Sequence, residues 1–112
     1  MTDDLERAVY LQRIDPDRKD EYVAAHDDVP DGVTDAMERA GVERFDLYVR
    51  DDIAVCILEA EDISAYDDVM ADDSTVQEWE RHVAQFKTAG VDVDAAEDDQ
   101  IPYMDQLWSF ET

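Results

Sequence analysis

From Arg7 to Ile14 the chain reads RAVYLQRI, apolar residues alternating with longer polar ones. That is the period of a strand with one buried face. Asp15-Pro16 stops it and starts a helix, with Asp15 as N-cap and Pro16 in the first turn. The helix carries Tyr22, Val23 and His26 before Pro30-Asp31-Gly32 interrupts it. A second helical piece runs from Val33 to Ala40, and Gly41 is a natural C-cap. Val42 to Val49 (VERFDLYV) predicts a second strand, with Val42, Arg44, Asp46 and Tyr48 on one face and Glu43, Phe45, Leu47 and Val49 on the other. Arg50-Asp51-Asp52 makes a short hairpin turn into a third strand, Ile53 to Ala60, apolar enough to lie centrally.

Asp62-Ile63-Ser64-Ala65 opens a short helix through Met70. Asp73 or Ser74 caps a longer one from Thr75 to Thr88, which Gly90 closes. Val91 to Gln100 (VDVDAAEDDQ) has no helical period and is expected to be a mobile, solvated loop. Pro102 to Phe110 (PYMDQLWSF) predicts the last strand. The order is βαββαβ over a single domain, 1–112. It defines an α+β fold: a ferredoxin-like antiparallel sheet with helices on one face. The other face then needs a cover, because an unpartnered apolar sheet face is a poor surface for a protein in water. A homodimer is expected, with two sheets facing each other or continuing edge to edge.

Charge changes the picture next. The formal net charge is -23, from 32 acidic and 9 basic residues, and Lys19 and Lys87 are the only lysines. Nucleic acid and anionic membrane both need Lys and Arg to meet their phosphates, so neither is an expected partner. The chain is nonetheless 45% hydrophobic, with five Tyr, three Phe and two Trp but only three Gly and three Pro, the composition of a folded domain. Its acid is dispersed rather than gathered into a tail. A halophile's surface fits, since at about 1 M salt the Debye length is about 3 Å and neighbouring carboxylates hardly repel. Cys56 is the only cysteine, which rules out an intrachain disulfide, and it sits in an apolar strand as a small core residue. No apolar run approaches a membrane span, and Met1-Thr2-Asp3-Asp4 lacks the basic and apolar regions of a secretory signal. A cytoplasmic protein is expected.

Proton transfer near neutral pH points to histidine, and there are two, His26 and His82. His26 follows Tyr22 by four residues, so both leave one helix face, and Trp79 and His82 share a face of the later helix. On spacing alone the commoner reading of the first pair is a half-buried structural contact, and that of Trp79 a core filler. His26-Asp27-Asp28 does not converge on a metal, and no phosphate-binding glycine loop or serine nucleophile elbow is present.

The segment Arg7 to His26, RAVYLQRIDPDRKDEYVAAH, resembles the start of the L-rhamnose mutarotases: a strand, Asp/Asn-Pro, then a helix bearing Glu-Tyr-x-x-x-His. The spacing through Gly41 to Phe45 and Tyr48 is similar to theirs. So are Glu59, Tyr66, the run Val76-Gln77-Glu78-Trp79 and the closing segment Met104 to Phe110. The resemblance implies a dimeric α+β barrel built from ferredoxin-like units. It implies interconversion of the α and β anomers of a pyranose monosaccharide, without metal or cofactor. It also makes His26 the counterpart of the family's proton donor, Tyr22 of a substrate-contacting tyrosine, and Trp79 of the first of two adjacent tryptophans that line the sugar. The second tryptophan is Glu80 here, and a sugar-contacting strand tyrosine is Phe45. The expected site is therefore His26 and Tyr22 as catalytic residues, with Tyr22, Phe45, Trp79 and Glu80 binding L-rhamnose or a related deoxy sugar. Since one fold hosts many functions, the alternatives are a small monooxygenase-like enzyme of the same architecture and a non-catalytic binding module.

Overall fold

The computed structural model describes residues 5–95 and 100–111. In chain order its elements are β1 (Glu6–Ile14), a 3-10 turn (Pro16–Arg18), α1 (Lys19–Ala25), a second 3-10 turn (His26–Asp28), α2 (Asp31–Arg39), β2 (Val42–Arg50), β3 (Ile53–Ala60), α3 (Ile63–Asp72), α4 (Ser74–Ala84), β4 (Lys87–Ala89) and β5 (Tyr103–Met104). The sheet is antiparallel with order β2-β3-β1-β4, and β5 also pairs with β1.

The expected caps form. Asp15 accepts from the Asp17 amide at 2.9 Å, Asp62 from the Ser64 amide at 3.0 Å and Asp73 from the Val76 amide at 3.0 Å. Each satisfies a backbone N–H that a helix start leaves without an internal partner. Gly41 closes α2, its amide donating to the Glu38 carbonyl at 3.0 Å. α2 itself begins at Asp31 and so includes Gly32, which the sequence assigned to an interruption. A Cβ on Gly32 would stand 2.6 Å from Thr75 Cγ2, so the missing side chain lets α2 pack against the first turn of α4.

Inward residues of β1 alternate as the sequence predicts, and those of the apolar β3 alternate with them. Tyr10, Gln12 and Ile14 are buried on one strand, and Ala54, Cys56, Leu58 and Ala60 on the other. Helix residues Tyr22, Val33, Ala36, Tyr66, Val76 and Val83 close the core over that face. The opposite face carries Val9, Leu11, Val55 and Ile57, half-buried, with Tyr48 exposed. Ion pairs rim it: Arg7–Glu59 at 2.9 Å, Arg13–Asp52 at 2.7 Å and Arg44–Asp46 at 2.7 Å. A register shift between Val42 and Arg44 moves Val42 off the Arg44 face, and it packs against the core opposite Ala60.

Three expectations are corrected. The last helix stops at Ala84 rather than Thr88, because Phe86 turns into the core and Lys87–Ala89 pairs with the end of β1 as a strand. Gly90 is thus not a helix cap. It lies at φ 144°, and a Cβ there would meet Gln12 Oε1 at 2.6 Å, so glycine permits the chain to pass over a buried side chain. The expected nine-residue closing strand is paired only at Tyr103 and Met104, beside Tyr10 and Val9. β4 holds the other half of that β1 edge, at Arg13 and Ile14, and Leu107, Trp108 and Phe110 are left exposed. The predicted loop Val91 to Gln100 includes residues 96–99, which lie outside the described residues, as do 1–4 and 112. Its two ends are not solvated: Val91 and Gln100 are buried, and the Asp92 amide donates to the Gln100 carbonyl at 2.8 Å.

Candidate active site

Between the helices and the inward face of the sheet lies a cavity of about 300 Å³. That is the lower end of the size range of small-molecule sites, about 300–1,000 Å³. β1 contributes Tyr10 and Gln12, β2 contributes Phe45 and Leu47, and β3 contributes Cys56. Tyr22 and His26 come from α1 and the turn after it, Tyr66 from α3, and Trp79, Glu80 and Val83 from α4. Val29 and the α2 residues Val33, Thr34 and Met37 complete the apolar wall.

His26 is fixed by its own helix. Its Nδ1 is 2.8 Å from the Tyr22 carbonyl oxygen, and a carbonyl can only accept, so the Nδ1–H donates. In the neutral ring this leaves Nε2 with a free lone pair. The ring is flanked by Tyr22, at a centroid distance of 4.8 Å, and meets Trp79 edge-on at 5.3 Å. The aromatic neighbours restrict its rotation, and the carbonyl selects its tautomer.

Burial governs the other polar groups. Tyr22 is 1% exposed, and desolvation pushes its phenol well above the ordinary tyrosine range, with smaller contributions from Cys56 and Glu80. Its hydroxyl is held as a neutral donor and acceptor. The hydroxyls of Tyr10 and Tyr66 are 3.0 Å apart, one donating to the other, and burial likewise raises both. Gln12 Nε2 donates to Cys56 Sγ at 3.5 Å. Glu80 and Lys87 form the only buried ion pair among the described residues. Nζ and Oε1 are 3.8 Å apart, with the lysine side chain 3% and the glutamate side chain 13% exposed. Lys87 also donates to Gln12 Oε1. Burial raises the Glu80 carboxyl while Lys87 pulls it down; burial lowers the Lys87 ammonium while Glu80 supports it.

All five residues singled out in the sequence, Tyr22, His26, Phe45, Trp79 and Glu80, line this one cavity. His82 does not: it is exposed, on the far side of Trp79, and accepts from Gln85 Nε2 at 3.2 Å. Tyr10, Gln12 and Lys87 were missed. A signal existed for Gln12, an amide at an inward position of an alternating strand, which has to find a buried partner. Lys87 gave none, since the predicted helix from Thr75 to Thr88 ran through it. Among the described residues no group of three or more His, Cys, Asp or Glu side chains is placed to hold a metal, and no helix is long and apolar enough to cross a membrane.

The strand order β2-β3-β1-β4, with helices over one face and a histidine in the cavity between, defines an α+β fold of the ferredoxin-like class. The L-rhamnose mutarotase family matches residues 7–110, and the chain belongs to that family; it is a sugar mutarotase, an isomerase. Solved structures show the same fold. An L-rhamnose mutarotase from Formosa agariphila superposes with a TM-score of 0.71 at 13% identity, covering 95% of this chain and 99% of that one. Tetracenomycin F2 cyclase from Streptomyces glaucescens, a type-II polyketide cyclase, has a TM-score of 0.67 at 21% identity, covering 96% and 98%. An antibiotic biosynthesis monooxygenase gives 0.59 at 15%, covering 90% and 97%. At these identities the likeness concerns the fold alone. No curated protein sequence matches the chain.

Proposed function

We propose that the chain interconverts the α and β anomers of L-rhamnose or a related deoxy sugar, with His26 as the acid/base group. Mutarotation opens a cyclic hemiacetal. The anomeric hydroxyl loses its proton, the ring oxygen gains one, the aldehyde turns, and the ring recloses. Only proton transfers are involved, within the repertoire of a histidine and a hydroxyl or carboxylate partner. The observation that carries the reading is His26 itself, anchored through Nδ1 and lining a cavity with Tyr22 and Trp79.

Tyr22, neutral and buried, orients the sugar or relays a proton; Trp79 offers an aromatic platform for the apolar face of the ring. Phe45 adds apolar contact where the resemblance places a tyrosine, and Glu80 offers an acceptor for sugar hydroxyls where it places a second tryptophan. Both substitutions bear on which sugar fits, because a site built around hydrogen bonds discriminates strongly when one is changed. The protein works as a homodimer in the cytoplasm of a high-salt cell. The half-buried apolar sheet face and exposed Leu107, Trp108 and Phe110 support the first proposal, and the net charge of -23 supports the setting.

Saturation-difference NMR of anomer exchange across L-rhamnose, L-fucose and related sugars, in high salt, tests the reading. Accelerated exchange of at least one deoxy sugar is expected. A panel in which none is accelerated above the buffer rate would overturn it.

A further inference from the structure

Ring opening moves two protons, one off the anomeric hydroxyl and one onto the ring oxygen, and His26 presents a single nitrogen, Nε2, for the task. Glu80 is the one acidic residue lining the cavity among the described residues. The groups around it come from every neighbouring element: Lys87 from β4, Tyr10 and Gln12 from β1, Cys56 from β3, Tyr22 and His26 from the α1 region, and Tyr66 from α3. On the Lys87 side, Arg81, Asp92 and Asp94 share a second cavity with the pair; Arg81 is tied to Asp94 at 2.9 Å, and Asp92 supports the Lys87 ammonium. Burial keeps the three tyrosines and the cysteine neutral. Lys87 is therefore the fixed counter-charge, 3% exposed, held between Glu80 and Gln12. Burial favours the protonated carboxyl, and an ammonium beside it opposes that.

We propose that Glu80 is the second proton-transfer group of the site, removing the anomeric hydroxyl proton, and that Lys87 is a positioning residue that keeps it ionised. The inference rests on the mutarotase reading and assigns it a partner for His26. In ring opening the Glu80 carboxylate takes the proton from the anomeric oxygen, whose electron pair forms the C=O bond. The bond between the anomeric carbon and the ring oxygen breaks, its electrons stay on that oxygen, and Nε2–H of the protonated His26 delivers a proton there. The aldehyde carries one proton on the former ring oxygen, Glu80 is a carboxylic acid and His26 is neutral. Reclosure on the other face reverses both transfers and restores the starting charges.

The test is anomer exchange of L-rhamnose against pH for wild type, Glu80→Gln and Lys87→Met. Glutamine keeps a hydrogen-bonding oxygen, so Glu80→Gln is expected to lose about 100-fold or more in kcat with KM within about threefold. Wild-type rate falls on the acid side as Glu80 is protonated. Without the ammonium the carboxyl holds its proton to higher pH, so in Lys87→Met that limb moves to higher pH. Glu80→Gln exchanging at the wild-type rate, or a Lys87→Met limb coincident with wild type, overturns the proposal and leaves His26 and the mutarotase reading standing. If Glu80→Gln does not fold, the acid limb decides: wild type with no fall in rate on the acid side overturns it. Wild type that accelerates no sugar overturns both.

Discussion

Cys56 lies on the floor of the cavity, 2% exposed, and burial pushes its thiol up to about 11 against the smaller opposing effect of the Gln12 amide. At pH 8 that leaves roughly a thousandth of it as thiolate, the only form that attacks an alkylating reagent. Iodoacetamide is expected to label the folded protein slowly and the denatured protein fast, as followed by mass spectrometry. Rapid labelling of the folded form at pH 8 would contradict the buried, neutral thiol. The contrast with His26 is instructive. A four-residue spacing put Tyr22 and His26 on one helix face from the sequence alone, and the structure adds what spacing cannot carry: the Nδ1 bond that selects a tautomer and the Trp79 edge from a helix fifty residues away. Lys87 was illegible for the opposite reason. Nothing local distinguishes a lysine that ends a helix from one that turns inward to meet Glu80.

At the level of elements, most boundaries followed from caps and periods, because Asp15, Asp62, Asp73 and Gly41 act on their own backbone neighbours. Two of the failures lie on one edge of β1. Gln85-Phe86-Lys87 contains no helix breaker, yet α4 ends there because pairing with Ile14 and burial of Phe86 outweigh local propensity. The closing segment is rich in apolar and aromatic residues like a strand, but that edge is already half-filled by β4. Gly90 is the hinge of this arrangement. Gly90→Ala places a Cβ against Gln12 at a positive φ and is expected to cost about 1–3 kcal/mol in stability, lowering the urea midpoint without changing the m-value. It should also slow anomer exchange by displacing Gln12 and with it Lys87. An unchanged midpoint would mean that the backbone at Gly90 is not under this constraint.

For the whole molecule, the charge of -23 and the apolar sheet face make two linked demands. At about 0.1 M salt the Debye length is about 10 Å, long enough for the carboxylates of one surface, and of two associating surfaces, to repel. Raising salt to about 1 M or more is expected to raise the thermal unfolding midpoint and to shift sedimentation from monomer toward dimer. Replacing Trp108, exposed in the single chain, with Ala should weaken that dimer while leaving the unfolding of the monomer nearly unchanged. A protein equally stable and monomeric at every salt concentration would contradict both the high-salt setting and the second copy as the cover of the sheet.

The central claim is that His26 is an acid/base group of anomer exchange, and replacing it alone tests that most directly. His26→Ala, checked by circular dichroism to keep its fold, is compared with wild type in saturation-difference NMR on a deoxy sugar in high salt. Loss of accelerated exchange, by about 100-fold or more, with the sugar still bound, is the predicted result. Exchange at the wild-type rate in a folded His26→Ala protein would contradict it.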